Sequence, residues 1–301
     1  MTGRIVPPVL PGRFRRLALW FDSAVPAVQA ETRGHVIDWL RVLPFLAMHL
    51  ACLGVLWVGF DRRAMLVAGA LYVVRMFAIT GFYHRYFAHR AFETNRGVQF
   101  VFAVLGASAV QRGPLWWAGH HRKHHRHADT ERDVHSPSQH GFWWSHMGWI
   151  TAADNFPTDM HEVRDLARFP ELRFLDRFDI LVPLVLAVTL FLAGGWSFLV
   201  WGFFVSTVVL FHATCLINSL AHALGRRRYA TDDDSRNSFI LAVITFGEGW
   251  HNNHHRYPGS ARQGFFWWEF DLTYYALFIL ARARVIRNLR PVPRRVLEAG
   301  A

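Results

Sequence analysis

Cysteine is almost missing from this chain: Cys52 and Cys215 are the two among 301 residues, both inside apolar runs. Two thiols cannot build a four-cysteine zinc cage, and no disulfide framework is indicated. Acidic residues are also scarce, 22 Asp and Glu against 33 Lys and Arg, for a formal net charge of +11. Such a surplus can mark a nucleic-acid binder, but its distribution here argues otherwise. The Arg residues gather in an N-terminal arm (1–35), in the segment Arg226–Arg228 and in a basic C-terminal tail (282–301), all flanking apolar segments. That is how a membrane protein marks its cytoplasmic side, where it also meets anionic lipid, so nucleic acid is set aside as a partner. The N-terminus imitates a secretory signal, with Arg13, Arg15 and Arg16 before an apolar stretch. Asp22 interrupts that stretch, and a cleaved signal is rejected.

Charge is missing altogether from some long stretches. Val42–Phe60 has none, and Ala64–Tyr83 is interrupted only by Arg75. Each is long enough for a helix across a hydrocarbon core of about 30 Å. The short linker Asp61-Arg62-Arg63 makes them a hairpin. Ile180–Gly225 contains no Asp, Glu, Lys or Arg and is too long for one span; Ala193-Gly194-Gly195 offers a turn near its middle. It reads as spans three and four. Gly97–Val110, Phe239–Phe246 and Leu272–Ala281 are too short to cross and read as interfacial or buried helices. The expected architecture is all-α, in one membrane-embedded domain over 1–301. Four transmembrane helices in two hairpins carry a helical cap, with both termini on the cytoplasmic side. Arg62 and Arg63 argue mildly against that orientation, though not against the hairpins.

What the chain has in excess is histidine, 18 residues in all. HRYFAH supplies His84 and His89, HRKHH supplies His121, His124 and His125, NSLAH supplies His222, and HNNHH supplies His251, His254 and His255. By the topology above, all four clusters lie at one membrane face. A helix advances about 100° per residue, so offsets of zero, three and four place each HxxHH triad within one arc. Asn218, four residues before His222, shares its helical face and could bind a metal through water. The five-residue separation of His84 and His89 spreads them around a helix, which suits ligation of two different ions. Isolated histidines in an Arg-rich cap are ordinarily surface residues; two HxxHH triads and an HxxxxH on one face are not explained that way.

The ligand set selects the metal. All-nitrogen ligation excludes magnesium and calcium, and the lack of cysteine disfavours structural zinc and iron–sulfur clusters. Catalytic zinc typically uses three protein ligands. Nine histidines suit two ions with positions left open for oxygen, and iron is the redox-active choice, with zinc as a possible substitute.

HRYFAHR, HRKHHRHADTERDVHSP, NSLAH and GEGWHNNHHRYP, in this order and spacing, resemble the membrane fatty-acid desaturases of the stearoyl-CoA desaturase type. The resemblance runs from about Arg75 to Tyr275. It implies an acyl chain in a bent tunnel beneath two irons, O2 as co-substrate, and removal of two hydrogens from adjacent methylenes, commonly at carbons 9 and 10. The nine ligands it implies are His84, His89, His121, His124, His125, His222, His251, His254 and His255, with Asn218 acting through water. Trp117 and Trp149 match tunnel-region tryptophans, for which interfacial anchoring is the competing role; Trp267 and Trp268 are weaker tunnel candidates. The sequence departs from the animal enzymes at the polar pairs that contact CoA, where Arg112-Gly113 and Gly119-His120 stand here. The acyl carrier is therefore left open between CoA and a lipid. No His-Pro-Gly-Gly segment of a fused cytochrome b5 occurs, so electrons are expected from a separate ferredoxin or cytochrome b5-like protein with an NAD(P)H reductase.

Asp129, Asp133 and Glu248 adjoin the triads and could accept imidazole N–H groups; salt bridges to nearby Arg compete with that role. His120, His127, His135, His140, His146 and His161 read as surface or supporting residues, and His212 as a packed or hydrogen-bonded core residue. The runner-up activity is a lipid hydroxylase using the same cage. A metal transporter would spread its ligands across membrane depth, and a zinc hydrolase would need the HExxH motif, which is absent.

Overall fold

The computed structural model describes residues 18–24 and 36–301, so most of the N-terminal arm lies outside the described residues. The elements that place the site are the helices α1 (Trp39–Ala51), α2 (Arg62–Phe77), α3 (Arg96–Ala107), α4 (Pro114–His127), α5 (Pro170–Arg177), α6 (Leu181–Phe198), α7 (Ser206–Ser219), α8 (Phe239–Ile244), α9 (His251–Arg256) and α10 (Leu272–Arg282).

Among the described residues, three helical stretches are long and apolar enough to cross a membrane: Trp39–Val58, Arg62–Ala88 and Leu181–His222. Leu50, Leu53, Leu56 and Trp57 on the first and Leu184, Val185 and Leu192 on the third are exposed. Side chains of this kind gain nothing from water, so these faces suit a hydrocarbon solvent. The expected third and fourth spans are here a single stretch of 42 residues, broken where Gly194 (φ −153°, ψ 19°) and Gly195 (φ 62°, ψ −152°) leave helical geometry. Gly195 has φ in the left-handed region, which a side-chain-bearing residue avoids. Asp61 caps the start of α2 by accepting from the N–H groups of Arg63 and Ala64, and it also accepts from Ser197 Oγ at 2.7 Å, tying that end to α6.

Arg75, the lone charge of the run Ala64–Tyr83, is buried at 1% exposure. Its guanidinium donates to Leu71 O, Ser108 O, Thr207 Oγ1 and Ser206 Oγ at 2.7–3.2 Å, joining α2 to α7 through neutral acceptors. α2 then continues into a π-helix, Ala78–Ala88, that carries His84 and Arg85. Phe82 of this segment stacks on Phe102 of α3 at 3.6 Å, and Gly106 leaves room for the Tyr83 ring, where an added Cβ would stand 2.1 Å away.

α4 starts with Pro114, and its next two N–H groups, Leu115 and Trp116, donate to Asp176 Oδ1 of α5 at 2.9 and 2.7 Å. Asp176 thereby caps α4 from another helix, satisfying donors that a helix start leaves unpaired. Burial pushes its carboxyl up to about 6. The expected short helices are present as α3, α8 and α10. Residues 282–301 fold back rather than trail away: Ile286–Arg287 pairs antiparallel with Glu93–Thr94, and Val296 is buried against Tyr229 and Phe265.

Candidate metal centre and adjoining cavity

The nine histidines singled out by spacing converge into two adjoining groups. In the first, one ring nitrogen each from His84, His89, His121, His125 and His254 all lie within 4.8 Å of one another; in the second the same holds for His124, His222, His251 and His255. The groups touch, with the His125 and His255 rings 4.4 Å apart at their centroids.

The triads divide in a regular way. α4 gives His121 and His125 to the first group and His124 to the second, while α9 gives His251 and His255 to the second and His254 to the first. On a helix, i and i+4 are only about 40° apart, whereas i+3 falls about 60° to the other side. Each triad therefore feeds both groups from one face.

His84 and His89 overturn the expectation that they serve different ions, because both rings join the first group. The reason is the π-helix. His89 N donates to His84 O at 3.2 Å, an i→i+5 bond that stacks the two residues, whereas an α-helix would splay them.

Carboxylates hold the rings from outside. His222 Nδ1 donates to Asp129 at 2.7 Å, His124 Nδ1 to Asp133 at 2.9 Å, His255 Nδ1 to Asp233 at 2.7 Å, and His84 Nδ1 to Glu248. An ionised carboxylate only accepts, so Nδ1 carries the proton in each and Nε2 is left with a lone pair. Asp129, Asp133 and Glu248 were legible beside the triads. Asp233 was missed; the acidic run Asp232–Asp234 after Arg226–Arg228 was its signal. Burial would raise the Asp129 carboxyl, but the His222 ring beside it brings it to about 2. Asp133 is held below the ordinary carboxylate range despite burial, because it faces both His124 and His135.

The Nε2 atoms point inward at each other. The separations are 3.0 Å for His84–His254, 2.8 Å for His89–His121, 2.8 Å for His125–His254 and 2.9 Å for His222–His251. Burial, then the neighbouring rings, holds His89, His121, His125, His251 and His254 well below the ordinary imidazole range and His255 at about 4. At these separations a neighbouring ring can donate Nε2–H to a lone pair, and a cation between the rings would take several lone pairs at once. His255 Nε2 is buried with no hydrogen-bond partner among the described residues. This donor set fits metal ions, and all-imidazole ligation suits iron or zinc. The Nδ1 atoms of His251 and His254 have no acceptor among the described residues.

Glu248 is presented by a tight loop. Gly247 has φ +120°, and a Cβ there would meet Asp271 Oδ1 at 2.4 Å. Arg85, fully buried on the π-helix, pairs with Glu248 at 3.0 Å and Asp271 at 2.9 Å, and Gln263 Nε2 donates to Glu248 at 3.1 Å. This network was not read from sequence, because its members lie far apart in the chain.

A cavity of about 260 Å³ adjoins the first group and is lined by His121, Asn218, Trp117 and Trp149 among others. Trp117 stacks on His121 at 5.0 Å, and Trp149 lies flat on Trp116 at 5.6 Å. Trp267 and Trp268 do not line it and are exposed. His120 lines it, half-buried. His146 is no surface residue: it is buried, with Nε2 2.9 Å from His212 Nδ1, and His212 in turn lies 3.1 Å from His49.

Residues 61–284 match the fatty acid desaturase family. The chain is 39% identical over 257 residues to the sn-1 stearoyl-lipid 9-desaturase of Anabaena variabilis, covering 84% of this chain and 94% of the relative. It is 41% identical over 276 residues to the chloroplastic palmitoyl-monogalactosyldiacylglycerol delta-7 desaturase of Arabidopsis thaliana, covering 89% and 74%. It is 38% identical over 253 residues to the sn-2 palmitoyl-lipid 9-desaturase of Nostoc sp., covering 81% and 87%. With the histidine groups in place and the match spanning most of its length, the chain belongs to the fatty acid desaturase family and is an oxidoreductase of fatty acyl groups.

Proposed function

We propose that this desaturase inserts a cis double bond at carbon 9 of a long acyl chain esterified to a membrane lipid. The observation that carries the reading is the pair of imidazole groups beside a cavity with apolar walls. The names of the cyanobacterial relatives support position 9 and a lipid carrier; the delta-7 relative marks the nearest alternative.

The nine histidines would hold two irons, five ligands to one and four to the other, and Asn218 would act through water. Bound iron supplies the oxidant: an unactivated methylene offers no handle for acid–base or nucleophilic chemistry. The balance is one O2, two electrons, two protons and the two hydrogens of adjacent methylenes, giving the alkene and two waters. Electrons come from a separate ferredoxin or a cytochrome b5-like protein with its NAD(P)H reductase. The chain's own residues do the positioning. Asp129, Asp133, Asp233 and Glu248 fix the ring tautomers, and Trp117, stacked on His121, walls the acyl chain where it passes the first group. Trp149 belongs to the same wall.

The 42-residue stretch supports two spans, since at 1.5 Å per residue it measures about 63 Å, twice a bilayer core. That gives two hairpins, with termini and histidines on the cytoplasmic side. Expression in a host deficient in unsaturated fatty acids tests the function, with double bonds located separately in the lipid and acyl-CoA pools. Loss of two mass units at carbons 9 and 10 of lipid-linked chains is the expected product. Desaturation confined to acyl-CoA, or an oxygen-bearing product, refutes it.

A further inference from the structure

A second cavity, of about 220 Å³, has no histidine in its wall and lies between the C-terminal segment and the loop that follows α9. Arg262, Arg290, Tyr274, Phe265 and Leu297 line it. It is smaller than the roughly 300–1,000 Å³ of a pocket for a drug-sized molecule, so it suits a compact group. Backbone bonds bring its two arginines together from distant parts of the chain. Ala261 N donates to Arg290 O at 2.9 Å, and Arg290 N donates to Ala91 O at 2.9 Å.

Both guanidinium groups have donors to spare. Arg262 Nη2 donates to Phe266 O at 2.8 Å and the cation lies 5.4 Å from the Tyr274 ring, but Nε is buried with no hydrogen-bond partner among the described residues. Arg290 is held through its backbone, and its guanidinium forms no ion pair or hydrogen bond among the described residues. Glu269 and Asp271, the acids that follow this loop, are committed to Arg228 and Arg85. The cavity wall therefore carries two positive charges and no carboxylate. A buried donor left unmatched is costly, and an anion would satisfy it.

The helix that supplies Tyr274 also carries a face made for lipid. Leu272, Tyr275, Phe278 and Ile279 of α10, at offsets of zero, three, six and seven, are exposed on one side of it. Trp267 and Trp268 are exposed just before it, Trp267 at 82%. Tyr274 stands on the helix between that face and the buried Thr273 and Leu277. Paired Trp and an apolar helix face, with Arg282 and Arg284 exposed at its end, are the make-up of an element lying at headgroup depth. The cavity therefore sits at the level of lipid phosphates rather than acyl tails.

We infer that Arg262 and Arg290, with the Tyr274 hydroxyl, form a binding site for the phosphate of an anionic phospholipid, separate from the oxidation site. Guanidinium forks match phosphate oxygens, and two of them without a carboxylate favour a phosphodiester over a neutral sugar headgroup. The site is linked to the histidines through one neighbour in the chain. Gln263 follows Arg262; its Nε2 donates to Glu248 at 3.1 Å, its N donates to Asp271 Oδ2 at 2.7 Å, and Glu248 holds His84. A phosphate held by Arg262 therefore steadies the support of the first histidine group. The inference goes beyond the proposed reaction and depends on neither the acyl carrier nor the position of the double bond.

The test uses the full-length, metal-loaded protein in detergent, with dioleoyl phosphatidylglycerol, dioleoylglycerol and inorganic phosphate as separate probes. Native mass spectrometry and thermal unfolding read binding without turnover. The wild type should retain phosphatidylglycerol and melt higher with it, and dioleoylglycerol should do neither. Arg290→Gln should weaken phosphatidylglycerol binding about tenfold, the scale of one lost charge-assisted hydrogen bond, and Arg290→Lys should recover part of the loss. Arg262→Gln should match Arg290→Gln; if it does not accumulate, because Arg262 also anchors Phe266, the two Arg290 variants decide. Arg282→Gln, outside the cavity, should bind as the wild type does. With phosphatidylglycerol bound, metal loss to a chelator should slow severalfold in the wild type and not in Arg290→Gln. Undiminished lipid binding by Arg290→Gln, an equal loss in Arg282→Gln, or equal retention of dioleoylglycerol overturns the site. Inorganic phosphate that raises the melting temperature as far as the lipid does overturns the lipid as its source. A chelation rate blind to the lipid overturns the link to the histidines.

Discussion

Asp233 and Arg75 show how much depends on single side chains here. Asp233 accepts from His255 Nδ1 at 2.7 Å, which turns Nε2 into the second histidine group. Removing such an outer acceptor typically weakens metal binding about 10- to 100-fold. Asp233→Asn should therefore lower the metal bound per chain while the protein still accumulates, checked by metal analysis of the purified enzyme. Unchanged iron stoichiometry and activity would remove Asp233 from the support of that group. Arg75 bridges Ser206, Thr207 and Ser108 in a buried setting. Arg75→Met should destabilise the fold by about 2–3 kcal/mol, because three polar partners lose a charged donor at once. The measurement is thermal unfolding in detergent, at constant metal content.

Two elements decide whether the histidines meet. The π-helix Ala78–Ala88 stacks His84 over His89, and a loop brings Glu248 behind His84. That loop depends on Gly247, whose φ of +120° and closeness to Asp271 leave no place for a Cβ. Gly247→Ala should displace Glu248, free the His84 ring and abolish most activity. The protein should still accumulate, and its iron content should fall. Wild-type turnover in this variant would show that the Glu248–His84 contact is dispensable. Helix α4 is held differently, through Asp176 accepting the Leu115 and Trp116 N–H groups from α5. Asp176→Ala should cost about 1 kcal/mol or more of stability, on the scale of a lost helix cap.

Across the whole molecule, many imidazoles are folded in a neutral state. His89, His121, His125, His251 and His254 are depressed well below their ordinary range, and His255 to about 4. In the unfolded chain each takes up a proton below about pH 6.5, while in the folded metal-free protein it does not. The unfolded state then binds more protons, so stability falls as pH falls from 6.5 towards 5, by about 1.4 kcal/mol per pH unit for each fully depressed ring. The metal-free protein should melt at sharply lower temperature at pH 5.5 than at 7.5, and a bound metal ion should reduce the difference by locking the neutral rings. A flat pH profile for the metal-free form would contradict this account.

The amino-acid sequence by itself determined the chemistry: nine histidines at helical spacings, long charge-free runs, and too little cysteine for any other cage. Those are properties of composition and period, and they survive without coordinates because helix geometry is nearly fixed. Only the tertiary structure decided the partition of rings between the two groups. A local switch from α to π geometry reverses which face His89 occupies, and no hydrophobic period reports such a switch. The same holds for Asp233 behind His255, and for Arg85 between Glu248 and Asp271. These contacts join residues distant in the chain, and their pairing is set by how buried charges find partners once the helices have packed.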